Sequence, residues 1–257
     1  MKRTRITPKL ENIPDDFQKL LSGAAVYDSS CSKEAEVLFI DCDKGYFLKS
    51  STKGSLEKEA SLAKYFHSKG LTAPVLSYLS LEKDWLLTEK VKGEDCTYSK
   101  YLDKPEKLCD KIAESLRNLH ETDYSDCPVQ ERMTDYFTVV EENYKKKAYD
   151  LSFGEFSSAD EAYQTAKNGQ SLLNDKNLLH GDYCLPNIIM DNWKFSGFID
   201  LGNGGVGDRH IDIFWGAWTL SYNLKTDKYR ERFFDAYGRD KIDFDALRVV
   251  SGAEVFG

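Results

Sequence analysis

What the 257 residues lack narrows the field first. The six cysteines, at positions 31, 42, 96, 109, 127 and 184, form no CxxC pair, and no histidine stands at zinc-finger spacing from them. A disulfide framework and a structural zinc site are therefore not expected, and the thiols read as free in a reducing compartment. No window approaches the roughly 18 consecutive apolar residues of a membrane span. The basic start, MKRTRITPKLENIPDDF, is not followed by the apolar stretch of a secretory signal. A cytoplasmic chain with no membrane partner is the expectation. Proline is scarce at 6, glycine is ordinary at 17, and no internal repeat occurs. Disordered, collagen-like and low-complexity architectures are excluded on that ground. A surplus of base is missing too: 35 Lys and Arg face 43 Asp and Glu, for a net charge of -8. Nucleic acid is not an expected partner, since its phosphates need a basic face, and a small cationic ligand fits better.

What is present suits an ordinary globular protein, with 41% hydrophobic, 13% aromatic and 30% charged residues. A chain of this length buries a substantial core as one large domain or two lobes. Between about Ala24 and Glu89 the signals are strand-like: AAVYD, EAEVLFID, GYFLKS, VLSYL and WLLTEK. One helix interrupts them, Leu56 to Ser68, with Ser55 as its N-cap and Gly70 as its stop. Its stripe of Leu56, Ala60, Leu62, Ala63 and Phe66 has helical periodicity. Glu59 projects from that stripe, and a carboxylate on a buried face needs a partner. Past Lys92-Gly93 the pattern turns helical. Asp103 and Pro105 open a helix whose inward positions are Leu108, Ile112, Ser115, Leu116 and Leu119, ending near His120. Residues 129–175 read as a helical insertion with nine acids against five bases. Further helices are expected near 209–222, 228–238 and 243–251. An α+β fold follows, with a β-rich small lobe over 1–91 and a helical large lobe over 92–257.

The chemistry concentrates between Leu178 and Gly202, in LLHGDYCLPNIIMDNWKFSGFIDLG. Asp182 and Asn187 fall in a short loop between the apolar runs LL and NIIM, and Asp200 ends a third run. A strand, loop, strand, turn, strand reading brings all three to one edge of a small hairpin. One carboxylate able to accept the proton of an attacking hydroxyl, with two oxygen ligands for Mg²⁺, is what phosphoryl transfer from a nucleotide requires. An isolated HGD is weak, since such turns are common. HGD with Asn187 five residues on and Asp200 thirteen further is much stronger. His180 reads as a loop holder and not as a base. Phe47 and Lys49 share a face of the GYFLKS strand. Alone, Lys49 is a surface lysine beside a core aromatic. Glu59, ten residues on and in want of a partner, changes the balance toward an ion pair that holds an ammonium near phosphates. In the run IFWGAW, core packing is the better reading for most positions, with Trp218 the exception.

LLHGDYCLPNIIM with SGFIDLGNGGVGDRHIDIFWG resembles the signature region of the aminoglycoside phosphotransferases, and of their 3′-phosphotransferase group in particular. YFLK, the helix with KEA, LLTEKVKG and the DCP near 126–128 extend the likeness over nearly the whole chain. The resemblance implies a two-lobed, protein-kinase-like fold using ATP and Mg²⁺ to phosphorylate an aminoglycoside hydroxyl, and hence antibiotic resistance by a monomeric enzyme. It makes Asp182 the catalytic base, Asn187 and Asp200 the metal ligands, and Lys49 the phosphate-binding lysine paired with Glu59. Phe47 would cover adenine, Thr88 would line the back of the pocket, and the backbone at Glu89 and Val91 would read the base edge. Gly181 stands where protein kinases carry arginine, so control by activation-loop phosphorylation is not expected.

Departures from the group lie on the acceptor side. Asn203 replaces a usual arginine, Trp218, Tyr222 and Asn223 stand where charge is usual, and the C-terminal SGAEVFG keeps Glu254 and the terminal carboxylate. Asp150 and Glu155 of the insertion are further candidates for binding ammonium groups, against the plainer reading of a solvated acidic surface. Two alternatives stay open: a kinase for another antibiotic or a metabolite alcohol, and a nucleotide-binding module without catalysis.

Overall fold

The computed structural model describes residues 3–174 and 176–257. Met1 and Lys2, and Asp175, the last of the insertion's nine acids, lie outside the described residues. The chain runs through Thr4–Ile6 (β1), Asp15–Leu21 (α1), Ala25–Asp28 (β2), Ala35–Asp41 (β3), Tyr46–Thr52 (β4), Glu57–Ser68 (α2), Val75–Ser80 (β5) and Lys83–Glu89 (β6). It continues through Glu94–Asp95 (β7), Ser99–Leu102 (α3), Pro105–His120 (α4), Arg132–Lys146 (α5), Ala159–Asn168 (α6), Asn177–Leu179 (β8), Ile188–Asp191 (β9) and Lys194–Phe198 (β10). Gly205–Gly207 (β11), His210–Leu224 (α7), Arg230–Tyr237 (α8) and Phe244–Glu254 (α9) complete it. Two compact units result. The first holds the residues up to Asp95 with Ile189–Gly202, and the second holds Cys96–Ile188 with Asn203–Gly257. The division is thus not the contiguous one at residue 91, because Glu94 and Asp95 pair with Met190 and Ile189 and draw the later hairpin into the first unit. Gly93 makes that approach possible: its φ is +112°, and a Cβ there would strike the Met190 carbonyl.

The first unit is built on an antiparallel sheet of order β1-β2-β3-β4-β6-β5. Alternation sorts its residues. Val26, Leu38, Ile40, Leu48, Trp85 and Leu87 form a buried cluster with Phe17 and Leu21 of α1, each worth about 1.5–3 kcal/mol by area removed from water. Residues on the opposite face of β4 are Phe47 and Lys49, and register sets Phe47 across from Thr88 and Lys49 across from Leu86. Leu86 packs there with Leu56 and Ala60 at the start of α2. The expected stripe of α2 is buried throughout. Its cap differs from expectation: the Ser55 hydroxyl donates to the Thr52 carbonyl, and the Leu56 N–H is taken by the buried carboxylate of Asp84. A charged acceptor already fixed on β6 outcompetes a neighbouring hydroxyl for the orphan amide.

In the second unit α4 starts on Pro105 at its first turn and buries Leu108, Ile112, Ser115, Leu116 and Leu119, as its periodicity predicts. The insertion consists of α5 and α6 with a 3-10 turn, Leu151–Phe153, between them. One expectation is corrected here. β8 does not pair with β9 but with β11, while β9 joins β10 and β7 in a separate three-stranded sheet. The single hairpin read from the sequence is therefore two pairings, which go to different units.

Candidate active site

In the first unit β4, α2 and the end of β10 bring three charged groups together. Lys49 Nζ lies 2.7 Å from Glu59 Oε2 and 2.9 Å from Asp200 Oδ1. Burial works to lower the Lys49 pKa, but the charges of Glu59 and Asp200 outweigh it, and the net direction is up. Glu59 moves up as well, because its burial and the Asp200 charge oppose the pull of Lys49. One ammonium thus serves two carboxylates, leaving a net negative charge in the cluster. Asp200 is held by the strand before it: Phe198 is fully buried, its N–H donates to the Leu71 carbonyl at 2.8 Å, and its carbonyl accepts the Thr72 hydroxyl at 2.6 Å. Asp200 itself sits at φ +59°, a conformation an aspartate tolerates at some cost.

The proposed adenine side is on the same sheet face. Phe47 is half-buried, 5.1 Å from the ring of Phe39, over which the Arg3 guanidinium lies at 3.9 Å. Thr88 is half-buried, and Val91 is buried. Glu89 donates its N–H to Pro74 and pairs its carboxylate with Lys44 at 3.2 Å. The Val91 N–H donates to no described residue.

In the second unit the loop after β8 carries the other groups. Its anchor is Asp212, fully buried on α7. The carboxylate accepts the backbone N–H groups of His180 at 2.7 Å and Gly181 at 2.8 Å, and lies 3.3 Å from His120 Nε2. His120 Nδ1 in turn meets the Tyr237 hydroxyl at 2.8 Å. Gly181 adopts φ +82°, and a Cβ there would run into the Asn203 carbonyl. No arginine could stand at this position without moving the segment after β10. His180 is fully buried and accepts the Asp182 N–H at Nδ1, 3.3 Å away, so it holds the loop. Tyr183 donates its buried hydroxyl to the Ile112 carbonyl. Asp182 itself is half-exposed. The Asn187 amide donates to its carbonyl at 3.0 Å and to Oδ2 at 2.9 Å, which fixes the carboxylate, and the Cys184 thiol is a further hydrogen-bond partner of Asp182.

The model of the phosphotransferase enzyme family matches residues 32–250. The chain belongs to that family. It is 49% identical, over all of its own length and 99% of the relative's, to a probable aminoglycoside 3′-phosphotransferase of Lactococcus lactis. It is 27% identical to an aminoglycoside 3′-phosphotransferase of Enterococcus faecalis, covering 96% of this chain and 97% of that one. Among solved structures, an aminoglycoside 3′-phosphotransferase of type VIII superposes with a TM-score of 0.72 at 19% identity, over 99% of this chain and 94% of that one. The aminoglycoside phosphotransferase of Streptomyces rimosus in complex with ADP and streptomycin reaches 0.71 at 22% identity, over 86% and 90%. These two establish a shared α+β fold.

A phosphotransferase of this kind implies Mg²⁺, and the donor chemistry fits it. Asn187 keeps its side-chain carbonyl oxygen without a donor among the described residues, and Asp200 keeps Oδ2. Each is a hard oxygen donor of the class that Mg²⁺ takes.

The acceptor-side candidates fare differently. Asp150 caps the Leu151–Phe153 turn by accepting the Ser152 N–H at 2.9 Å, and Glu155 is exposed. Glu254 is only 4% exposed and accepts the Tyr136 hydroxyl at 2.7 Å. Burial lifts its pKa to about 7, against the pull of Tyr136, Arg132 and Trp215. Asn203 is exposed, and its carbonyl accepts Arg132 Nε. Trp218 stacks on Tyr222 at 4.8 Å and 12°, with Phe153 and Trp215 beside it at 5.4 and 5.3 Å. Most of the IFWGAW run is buried, as expected, but Trp215 and Trp218 are half-exposed. Sequence reasoning missed the anchoring by Asp212. The available signal was the argument used for Glu59: a lone carboxylate inside an apolar helical run must be bonded.

Proposed function

We propose that this protein transfers the γ-phosphoryl group of ATP to a hydroxyl of an aminoglycoside, inactivating the antibiotic and conferring resistance. The observation that carries the chemistry is Asp182, a half-exposed carboxylate with one oxygen fixed by Asn187, on a loop whose backbone is bonded to a buried aspartate. The substrate class rests on the full-length relative of 49% identity. In the proposed mechanism the first unit binds the nucleotide. Phe47, Thr88 and the backbone of Glu89 and Val91 take the adenine, and Lys49, held by Glu59, takes the phosphates. Asn187 and Asp200 are the groups that would hold Mg²⁺, which when bound neutralises charge on the phosphates. Asp182 orients the acceptor hydroxyl and accepts its proton as the new O–P bond forms and the bond to ADP breaks. Because such transition states are loose, positioning and charge neutralisation provide most of the acceleration. Asp150, Glu155 and Glu254 are the proposed carboxylates for acceptor ammonium groups, the first two exposed and the third buried. A monomer in a reducing cytoplasm is the accompanying inference.

The test is ADP release over a panel of aminoglycosides with and without a 3′-hydroxyl, followed by NMR of the product. Turnover confined to acceptors bearing that hydroxyl is expected. ATP binding with no release on any of them would sink the substrate assignment. The aromatic group of Phe153, Trp215, Trp218 and Tyr222 favours a second reading, in which the same kinase chemistry serves a less cationic alcohol. The same panel, extended to uncharged glycosides, separates the two.

A further inference from the structure

The edge of the first unit's sheet carries two arginines that the phosphoryl-transfer chemistry leaves unused. Ile6 of β1 packs against the buried cluster under the sheet, so by alternation Arg5 and Arg3 belong to the opposite face. That face bears Phe47 and Lys49. Pairing runs across it from Arg5 to Tyr27, from Tyr27 to Phe39 and from Phe39 to Phe47. Arg3 stands one row further along. Thr4 lies across from Asp28, the next residue, Ser29, donates its N–H to the Val37 carbonyl at 2.8 Å, and Val37 lies across from Lys49. Arg3 and Lys49 thus flank the aromatic row on the same side.

The Arg3 side chain leans over that row, with its guanidinium carbon 3.9 Å from the centre of the Phe39 ring and 5.6 Å from that of Phe47. Among the described residues it has no carboxylate and no hydrogen-bond acceptor besides these rings. A ring face attracts the charge but offers no oxygen to five N–H donors. The other cation of the face is already matched, since the Lys49 ammonium serves both Glu59 and Asp200 and the three groups together are net negative. A polyphosphate chain carries more negative charge than one shared ammonium can answer. Orientation points the same way. A purine read along one edge by the backbone of Glu89 and Val91, at the end of β6, has its glycosidic nitrogen on the far edge, so ribose and phosphates leave it toward β3. Arg3 lies over β3.

We propose that Arg3 is a further nucleotide-binding residue, whose guanidinium, seated on Phe39, donates to the phosphate chain of ATP as a second cation beside Lys49. Arginine suits this place because its flat face can rest on a ring while its edge presents a fork of donors to phosphate oxygens. The inference rests on the nucleotide site of the proposed function and adds to it a residue outside the stretch 32–250 that the family model matches. Calorimetric titration of the full chain with ATP, ADP and adenosine tests it. Arg3→Gln weakens ATP and ADP about tenfold and leaves adenosine unchanged, and Arg3→Lys recovers part of the loss. Arg5→Gln, the same change of charge two residues along, alters ATP affinity by less than about twofold. Both arginines are exposed, and thermal melts establish that the variants are folded. ATP affinity that falls in Lys49→Met but not in Arg3→Gln overturns this inference and leaves the nucleotide site standing. Equal losses in Arg3→Gln and Arg5→Gln would mark a diffuse effect of net charge, and an equal loss of adenosine would mark a packing role for Arg3. Either result overturns the inference. A wild-type chain that binds no ATP at millimolar concentration removes the nucleotide site itself, and the role of Arg3 with it.

Discussion

The Lys49 cluster and the Asp182 loop fix their carboxylates in opposite ways. Around Lys49 charge holds charge: one cation spans Glu59 and Asp200, and Asp200 remains half-exposed. Around Asp182 the fixing is done by neutral backbone and amide groups, with Asp212 buried beneath and bonded to two N–H groups. The first arrangement can exchange partners when a polyanion arrives. The second cannot rearrange without exposing buried donors, and it suits a group that must keep one orientation. Glu254 shows a third state, a buried carboxyl near neutrality among aromatic side chains.

Breaking this comparison should have graded effects. Asp182→Asn keeps the shape of the loop and removes the proposed proton acceptor. Turnover on the true acceptor is expected to fall by about 10²–10⁴ with ATP affinity nearly unchanged, read by ADP release and nucleotide titration. Lys49→Met strands two carboxylates, and about a 10²-fold loss with a raised KM for ATP is expected. An unchanged KM would show that Lys49 does not touch phosphate. Asp212→Ala should act on stability first. It leaves two buried N–H groups without an acceptor, a cost of about 3–5 kcal/mol, visible as a lower urea midpoint, with Asp212→Asn milder.

Glu254 sharpens the comparison through pH. Its folded pKa, about 7, lies above the ordinary 4.5, so the folded state retains a proton that the unfolded chain has released. The carboxyl therefore contributes stability that is full below about pH 4.5 and lost as pH rises through about 7, up to about 3 kcal/mol. Glu254→Gln should flatten the urea midpoint between pH 5 and 8, and an unaltered slope would locate the titration elsewhere. The smallest effect belongs to Trp218→Ala, a roughly two- to tenfold change in acceptor KM from the lost ring contact with Tyr222, with the KM for ATP constant.

Much of this was legible in the chain. The alternation of GYFLKS gave Phe47 and Lys49 one face, and the stripe of α2 left Glu59 wanting a partner, which Lys49 supplies at 2.7 Å. Local rules sufficed there because period and face are local properties. They failed where a distant group competed. Ser55 lost the cap of α2 to Asp84, a residue brought close by strand pairing. The two apolar runs flanking HGD looked like one hairpin, yet β8 found its partner in β11. α1 was missed because seven residues carry too little period, though Phe17 and Leu21 are its buried positions.

By itself the sequence determined the residue types at spacings that phosphoryl transfer needs and the family to which the chain belongs, since both depend on order along the chain. Only the tertiary structure decided that Asp200 joins Lys49 and Glu59, that Asp212 holds the HGD backbone, and that Glu254 is buried near neutrality. Those outcomes turn on desolvation and on which donors reach a carboxylate first, and neither quantity exists until the chain has packed.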